Sequence, residues 1–311
     1  MYKSDKELFI ELIDKLNGDY NFNGLLHFTD FSNLDSIFNT GYLKSRYECE
    51  EEEVEYLDVA NQEVIQNTQE NVKKCVRFYY KEKTPTLYRN EGIKINNEEP
   101  HIPIPVYLLF DSKLVYSKSS VFADGNAGSS YTHFDRSSNF FANMDWETIF
   151  SRGPIPYHMP EHARYEEKRK RQAELLYTNP VSLDYLKKII FRCEADKKRA
   201  LNLFTNNELY IVESSLFNNH RNYLVDYSME LNSNNLNLKL TFNKNNYKRY
   251  NHRYKIIDIN NDECFRDREI NINDSATGLT ISGSINNLSN IQNIKFEYYM
   301  NEILCIEEFI N

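Results

Sequence analysis

Apolar positions recur at helical spacing near the start of the chain. Leu8, Phe9, Leu12, Ile13 and Leu16 share one face and predict a helix over residues 5–17, ended near Asn17-Gly18. Residues 24–29 (GLLHFT) read as a short buried strand. A helix carrying Leu34, Ile37 and Phe38 follows directly, capped by Asp30 or Ser32 and stopped at Gly41. Residues 48–74 are polar, with sparse helical spacing at Val59, Val64 and Ile65, and predict a loosely packed helix or an excursion. Residues 76–80 (VRFYY) form a strand by their aromatic and β-branched content, Thr84-Pro85-Thr86 breaks it, and 87–92 is expected as a loop. The nearly continuous apolar run 103–110 predicts a central strand with proline at its edge.

Between residues 121 and 138 no period survives and turn residues dominate. A loop of that length inside a compact domain is usually functional or disordered, and Asp124, Asn126, His133, Asp135 and Arg136 favour function. A short helix at 145–150 holds the only tryptophan, Trp146. Helix 161–172, strand 173–177, helix 182–188, strand 189–192 and helix 194–204 then complete an α+β unit. From about residue 206 the pattern changes to short alternating or apolar segments at 208–213, 236–242, 253–259, 277–285 and 294–299, separated by Asn/Asp/Ser turns. The expected organisation is an N-terminal helical extension over 1–20, an α+β domain over 21–205 and a small antiparallel β domain over 206–311.

Composition adds bounds. The 311 residues are 41% hydrophobic and 27% charged, as in globular proteins, and no run approaches a membrane span, so a cytoplasmic protein without membrane contact is expected. Five scattered cysteines include no CxxC pair and read as reduced structural thiols. His158 and His162 are four apart, but Pro160 between them favours an exposed loop over a metal site, so no metal is expected. The net charge of −9 argues against indiscriminate nucleic-acid binding while leaving room for a local basic groove at Lys168-Arg169-Lys170-Arg171.

Two residues stand out for chemistry. Glu174 lies where a charged helix gives way to an apolar strand, so its carboxylate is paired, exposed, or kept for a reaction. His27 lies on an apolar strand, where a histidine is more often a satisfied core residue than a functional one.

Three blocks, taken in order, resemble the DarT family of DNA ADP-ribosyltransferase toxins. The first is His27-Phe28-Thr29-Asp30-Phe31-Ser32-Asn33-Leu34 with Ile37 and Gly41. The second runs from Val76 through Thr84-Pro85-Thr86-Leu87-Tyr88. The third is Arg171-Gln172-Ala173-Glu174-Leu175-Leu176, similar to the block that ends in the family's catalytic glutamate. Their order and spacing agree over about residues 22–205; the C-terminal β region lies beyond the smallest family members.

The resemblance implies an α+β fold with ADP-ribosyltransferase-like split sheets around an NAD cleft. It implies NAD as co-substrate, transfer of ADP-ribose to a base in single-stranded DNA, and a cognate antitoxin that removes the modification. Glu174 and Arg77 would be catalytic. His27, Thr29, Asn33, Arg46, Tyr79 and Tyr88 would hold NAD, with Asn33 near the phosphates. Tyr131, His133, Arg136, Lys168, Arg169, Lys170 and Arg171 would contact DNA. Some family members carry a functional arginine in the position of residues 58–72, which here contain none; either Arg46, Arg77 or Arg89 would replace it, or the target base differs. The acceptor base is guanosine or thymidine, and the segment 84–92 (TPTLYRNEG) is closer to the guanosine branch. The alternatives are transfer to RNA or protein, or a non-catalytic nucleic-acid-binding module.

Overall fold

The computed structural model describes residues 2–57, 70–95, 102–205, 207–232, 235–261, 263–270, 279–286, 288 and 293–310. The chain divides into two compact units, Met1–Asn90 with Val106–Ile189, and Glu91–Pro105 with Ile190–Asn311. The boundary expected near 205 therefore falls inside the second unit. The N-terminal helix, Lys6–Tyr20, is no separate extension but part of the first unit, where Phe9 is buried against Phe122 and Phe141 with ring centroids 5.6 and 5.7 Å away. It runs past Gly18 and ends at Asn21, whose left-handed backbone (φ 58) lets its N–H reach the last carbonyls.

The strands of the first unit are β1 (Leu25–Asp30), β2 (Tyr42–Leu43), β3 (Val76–Tyr79), β4 (Pro105–Phe110), β5 (Ser120–Ala123), β6 (Phe134–Asp135), β7 (Glu174–Tyr177), β8 (Val181–Ser182) and β9 (Leu186–Phe191). Its sheet runs β9-β4-β1-β3-β7-β5-β6, with β2 and β8 forming a separate ladder. β7 is in register with β3 and with β5 over four residue pairs each, whereas among the described residues β1 and β3 are registered only at Leu26–Tyr79. The sheet is thus continuous but joined at its middle, between β1 and β3, by this one registered pair.

Strand alternation sorts the side chains of β3, β7 and β5 onto two faces. Phe78, Leu175 and Phe122 share one face and are fully buried, Phe78 against Phe110 and Phe122 against Phe141. Arg77, Tyr79, Glu174 and Leu176 share the other. This second face carries the polar chemistry.

Three local expectations are corrected. Residues expected as a loop after Pro85 form a helix, Pro85–Asn90, because proline suits the first helical position and the Thr84 hydroxyl accepts from the Leu87 N–H (3.3 Å). The expected helix 182–188 is a 3-10 turn, Leu183–Tyr185, capped by Ser182 and followed by β9. The loop expected over 121–138 is a hairpin, since β6 returns to pair with β5, leaving 124–133 as its connection. Of the polar region 48–74, residues 58–69, with Val59, Val64 and Ile65, lie outside the described residues.

The second unit holds β10 (Tyr210–Val212), β11 (Leu224–Asn232), β12 (Asn235–Phe242), β13 (His252–Asp258), β14 (Glu263–Glu269), β15 (Thr280–Ile285), β16 (Ile294–Met300) and β17 (Ile303–Ile310). Two antiparallel sheets, β11-β12-β15 and β14-β13-β16-β17, share a core that includes Leu240, Phe242, Ile256, Phe296 and Tyr298. The helix Glu194–Leu203 covers one outer strand of each sheet. Lys198 donates to the Tyr227 carbonyl (2.8 Å), Arg199 to that of Leu304 (2.7 Å) and Asn202 to that of Glu307 (2.8 Å), which occupies edge groups that would otherwise invite pairing. β14, with sequence ECFRDRE, is almost wholly exposed, so its charges erase the apolar signal that would have announced it.

Gly24 sets the entry to β1. Its φ is +145°, and a Cβ there would lie 2.3 Å from the Phe110 carbonyl oxygen. Gly24→Ala should therefore destabilise the protein by about 2–3 kcal/mol, from a backbone clash that side-chain movement does not relieve. Urea unfolding of the two proteins measures this; equal midpoints would refute it.

Candidate active site

The site follows from strand register. Glu174 opens β7 and lies directly opposite Tyr79 on β3 and Ala123 on β5. Arg77 is two residues before Tyr79, on the same face, so it meets Glu174 diagonally across the ladder, within reach of long side chains. The result is a bidentate pair: Arg77 Nε donates to Glu174 Oε2 at 2.5 Å and Nη2 to Oε1 at 2.6 Å. The Ala127 N–H adds a third bond to Oε1 at 3.2 Å. Glu174 is 0% exposed and paired, which rules out the exposed alternative. Burial is the largest influence and acts to lower the Arg77 pKa, but the charge and hydrogen bonds of Glu174, together with Tyr79 and Cys75, leave the guanidinium above its ordinary range.

His27 sits on β1, next to the single Leu26–Tyr79 pair that joins β1 to β3. Its Nδ1 is 2.9 Å from the Arg77 carbonyl oxygen, which only accepts, so Nδ1 carries the proton and donates. Burial, opposed by this bond and aided by the Arg77 charge, depresses the His27 pKa to about 4. The ring is thus neutral at physiological pH, with Nε2 as an acceptor.

A pocket lies beside these residues, lined by His27, Thr29, Asn33, Arg46, Arg77, Tyr79 and Thr86 among others. Its lining includes four cationic side chains, Lys44, Arg46, Lys73 and Arg77, and no Asp or Glu among the described residues. The chain as a whole has 46 acidic against 37 basic residues, so this local balance is reversed. Such a lining suits a diphosphate, and the apolar Phe28, Ile37 and Tyr79 suit flat rings. No group of three or more potential metal ligands occurs among the described residues.

Asn33 is placed differently from the expected phosphate contact. It is buried; its Nδ2 donates to Thr29 Oγ1 (2.8 Å) and to the Leu57 carbonyl (3.0 Å), while its Oδ1 accepts from the Leu57 N–H (2.6 Å). One amide thus holds both backbone groups of Leu57 and fixes a pocket wall. Arg46 begins the helix Arg46–Glu51, whose start is fixed by a reciprocal Ser45–Glu48 capping box. Tyr79 lines the pocket and stacks on Phe28 with centroids 5.2 Å apart, whereas Tyr88 is 53% exposed and is not among the lining residues.

The basic run is also corrected. Arg169 is buried and bonds Asp124 (2.6 Å) and Glu166 (3.0 Å), and Arg171 is buried against Glu167 and the Gly153 carbonyl. Lys170 pairs with Asp145 at 2.9 Å, leaving Lys168 as the exposed member. The two arginines therefore act inward. A Cβ on Gly125 would come within 2.8 Å of the Arg169 side-chain carbon Cγ, so the Asp124-Gly125 turn is fitted to that arginine. This turn, the Asn126 N–H to the Arg169 carbonyl (3.0 Å) and Ala127 together carry the loop to Glu174. Sequence reasoning missed Ala127 and the inward role of Arg169; the Asp-Gly pair was the available signal. Tyr131, His133 and Arg136 lie exposed on the same hairpin, with Arg136 donating to the Lys118 carbonyl (2.7 Å).

Comparison with known proteins gives a consistent family. The model of the family described as DarT, ssDNA thymidine ADP-ribosyltransferase, matches residues 26–220. Thermus sp. 2.9 DarT in complex with ADP-ribosylated ssDNA superposes with a TM-score of 0.52 at 16% identity, over 64% of this chain and 97% of that one. Thermosipho africanus DarTG in complex with ADP-ribose gives a TM-score of 0.51 at 20% identity, over 63% of this chain and 51% of that one. A search of curated protein sequences found no match.

Two measurements test the site. Arg77→Ala leaves a buried carboxylate without its cation and should cost about 3 kcal/mol, whereas Arg77→Ala with Glu174→Ala should cost much less than the sum of the single changes. Additive losses in urea unfolding would count against the pair. Separately, His27 binds a proton more weakly folded than unfolded, so its contribution to stability is present above pH 6.5 and is lost as the pH falls towards about 4. His27→Gln should flatten that part of the stability–pH curve.

Proposed function

This chain belongs to the DarT family of single-stranded-DNA ADP-ribosyltransferases, and we propose that Glu174 and Arg77 form its reaction centre, with NAD held in the adjoining cationic pocket. The observation that carries this reading is the fixed, buried carboxylate beside a pocket lined, among the described residues, by four cations and no acid.

In the proposed reaction the bond between nicotinamide and ribose breaks, and its electron pair leaves with nicotinamide. Positive charge grows on the ribose, and a preorganised carboxylate stabilises it without reorganising. A base nitrogen then bonds to the ribose carbon and loses its proton, for which Glu174 is the general base. His27 offers Nε2 as an acceptor for a ribose hydroxyl, its tautomer set by the Arg77 carbonyl. Arg46 and Arg77 face the diphosphate, and Asn33 acts through Leu57 to hold the pocket wall rather than touching phosphate.

Thymidine is the proposed acceptor base, because the family description names it; the sequence-based lean to guanosine has no further support. Thymine has one ring N–H, at N3, and that proton would pass to Glu174. A DNA-modifying activity of this kind is toxic to its host, so a cognate antitoxin that removes ADP-ribose is the proposed partner. No described helix is long and apolar enough to cross a membrane.

Incubation of the purified protein with NAD and a mixture of single-stranded DNA, duplex DNA and RNA, read by mass spectrometry, tests the reading. One ADP-ribose should appear on thymidine in single-stranded DNA. Glu174→Ala should lower the rate by roughly 10²–10³-fold or more. Modification of guanosine would overturn the base, modification of RNA alone would overturn the acceptor, and unchanged activity in Glu174→Ala would overturn the site.

A further inference from the structure

On and beside the helix Glu161–Lys170 lie three exposed rings that no part of the reaction centre uses. Tyr157, just before the helix, is 90% exposed, with the Arg164 guanidinium 5.6 Å from its ring centroid. Tyr165 meets Tyr131 edge-on, centroids 6.0 Å apart at 77°, and its hydroxyl is 3.0 Å from that of Ser129. Tyr131 is 66% exposed. Burying such rings is strongly favourable, so three of them held in water along one band mark a surface that something covers.

The band is continuous with the reaction centre. One turn on from Tyr165 the same helix supplies Arg169, which is buried, grips Asp124 and packs over Gly125. From there the turn runs through Ala127, which bonds Glu174, to Ser129 and Tyr131, which meet Tyr165. One stretch of chain thus touches both the carboxylate and the rings. The exposed charges on the band are Arg164 and Lys168 with Glu161 and the half-exposed Glu166, whose carboxylate is already paired with Arg169, which leaves the two cations to meet an anion.

Resting on the reading that the acceptor is single-stranded DNA, we propose that the strand lies along this band, with bases flanking the target nucleotide stacked on Tyr157, Tyr165 and Tyr131, and with Arg164 and Lys168 against its phosphates. Stacking needs an exposed base face, which a single strand offers and a duplex hides. Ring contacts are also uncharged, so an acidic protein with Arg169 and Arg171 turned inward still holds a polyanion.

Fluorescence anisotropy of a labelled single strand of about 15 nucleotides, titrated with the full chain in the absence of NAD, tests the proposal. Tyr157→Ala and Tyr165→Ala should each weaken binding about 5- to 150-fold, while Tyr157→Phe and Tyr165→Phe, which keep the ring, should bind like the parent. The same sequence as a duplex should bind more weakly. Alanine variants that bind like the parent, phenylalanine variants that lose as much as alanine, or a parent protein that binds no single strand would each overturn it. If the parent modifies single-stranded DNA while the alanine variants bind it unchanged, this path fails and the reaction centre stands; if the parent binds through these rings but modifies no DNA, the reverse holds.

Discussion

The bidentate contact between Arg77 and Glu174 is the constraint from which the first unit is best understood. A carboxylate at 0% exposure is tolerated only when its charge is met, and here two guanidinium bonds and the Ala127 N–H meet it. That requirement fixes the β3–β7 register, since a slip of one residue would turn Arg77 or Glu174 to the phenylalanine face. It also fixes the 124–131 connection, because Ala127 reaches the carboxylate only while Arg169 holds Asp124 and packs over Gly125. Asp124 shows the strength of that hold. Burial works to raise its pKa, yet the His133 backbone N–H and Arg169 leave it lowered.

What the sequence disclosed depended on whether a signal was local. Helical spacing announced Lys6–Tyr20, and the apolar run around residues 103–110 announced β4, because each pattern is complete within its own element. Glu174 stood out because a carboxylate at the mouth of an apolar strand has an energetic cost visible without a structure. Its partner was harder to identify: Arg77 is 97 residues away, and only the diagonal across a β ladder brings the two together. Arg169 and Arg171 misled for the complementary reason. A run of four basic residues suggests a solvated or phosphate-binding face, but a helix turns successive side chains in different directions, and Asp124 and Glu167 waited on the inner side. In the second unit β14 stayed hidden because an exposed edge strand needs no apolar alternation.

The charge distribution follows from the same division of labour. With a net charge of −9, the chain concentrates cations where a diphosphate would sit and uses buried arginines as internal clamps. This removes the apparent conflict between an acidic protein and a DNA acceptor. Affinity that rests on aromatic faces and a few exposed cations needs no basic surface, and it discriminates between single strands and duplexes, which uniform positive charge does not.

The position of Arg77 has a consequence for the order of events. Its side chain lines the pocket and is partly exposed, whereas Glu174 has no exposure at all. The guanidinium therefore stands between the pocket and the carboxylate and touches both. A carboxylate covered in this way does not reach a ribose until Arg77 shifts, and an entering diphosphate is the kind of anion that competes for the same donors. Exchanging one bidentate anion for another keeps the guanidinium paired throughout. The pair that stabilises the β3–β7 ladder at rest would on this view uncover the carboxylate only when its substrate is already in place, which keeps Glu174 shielded from water until then.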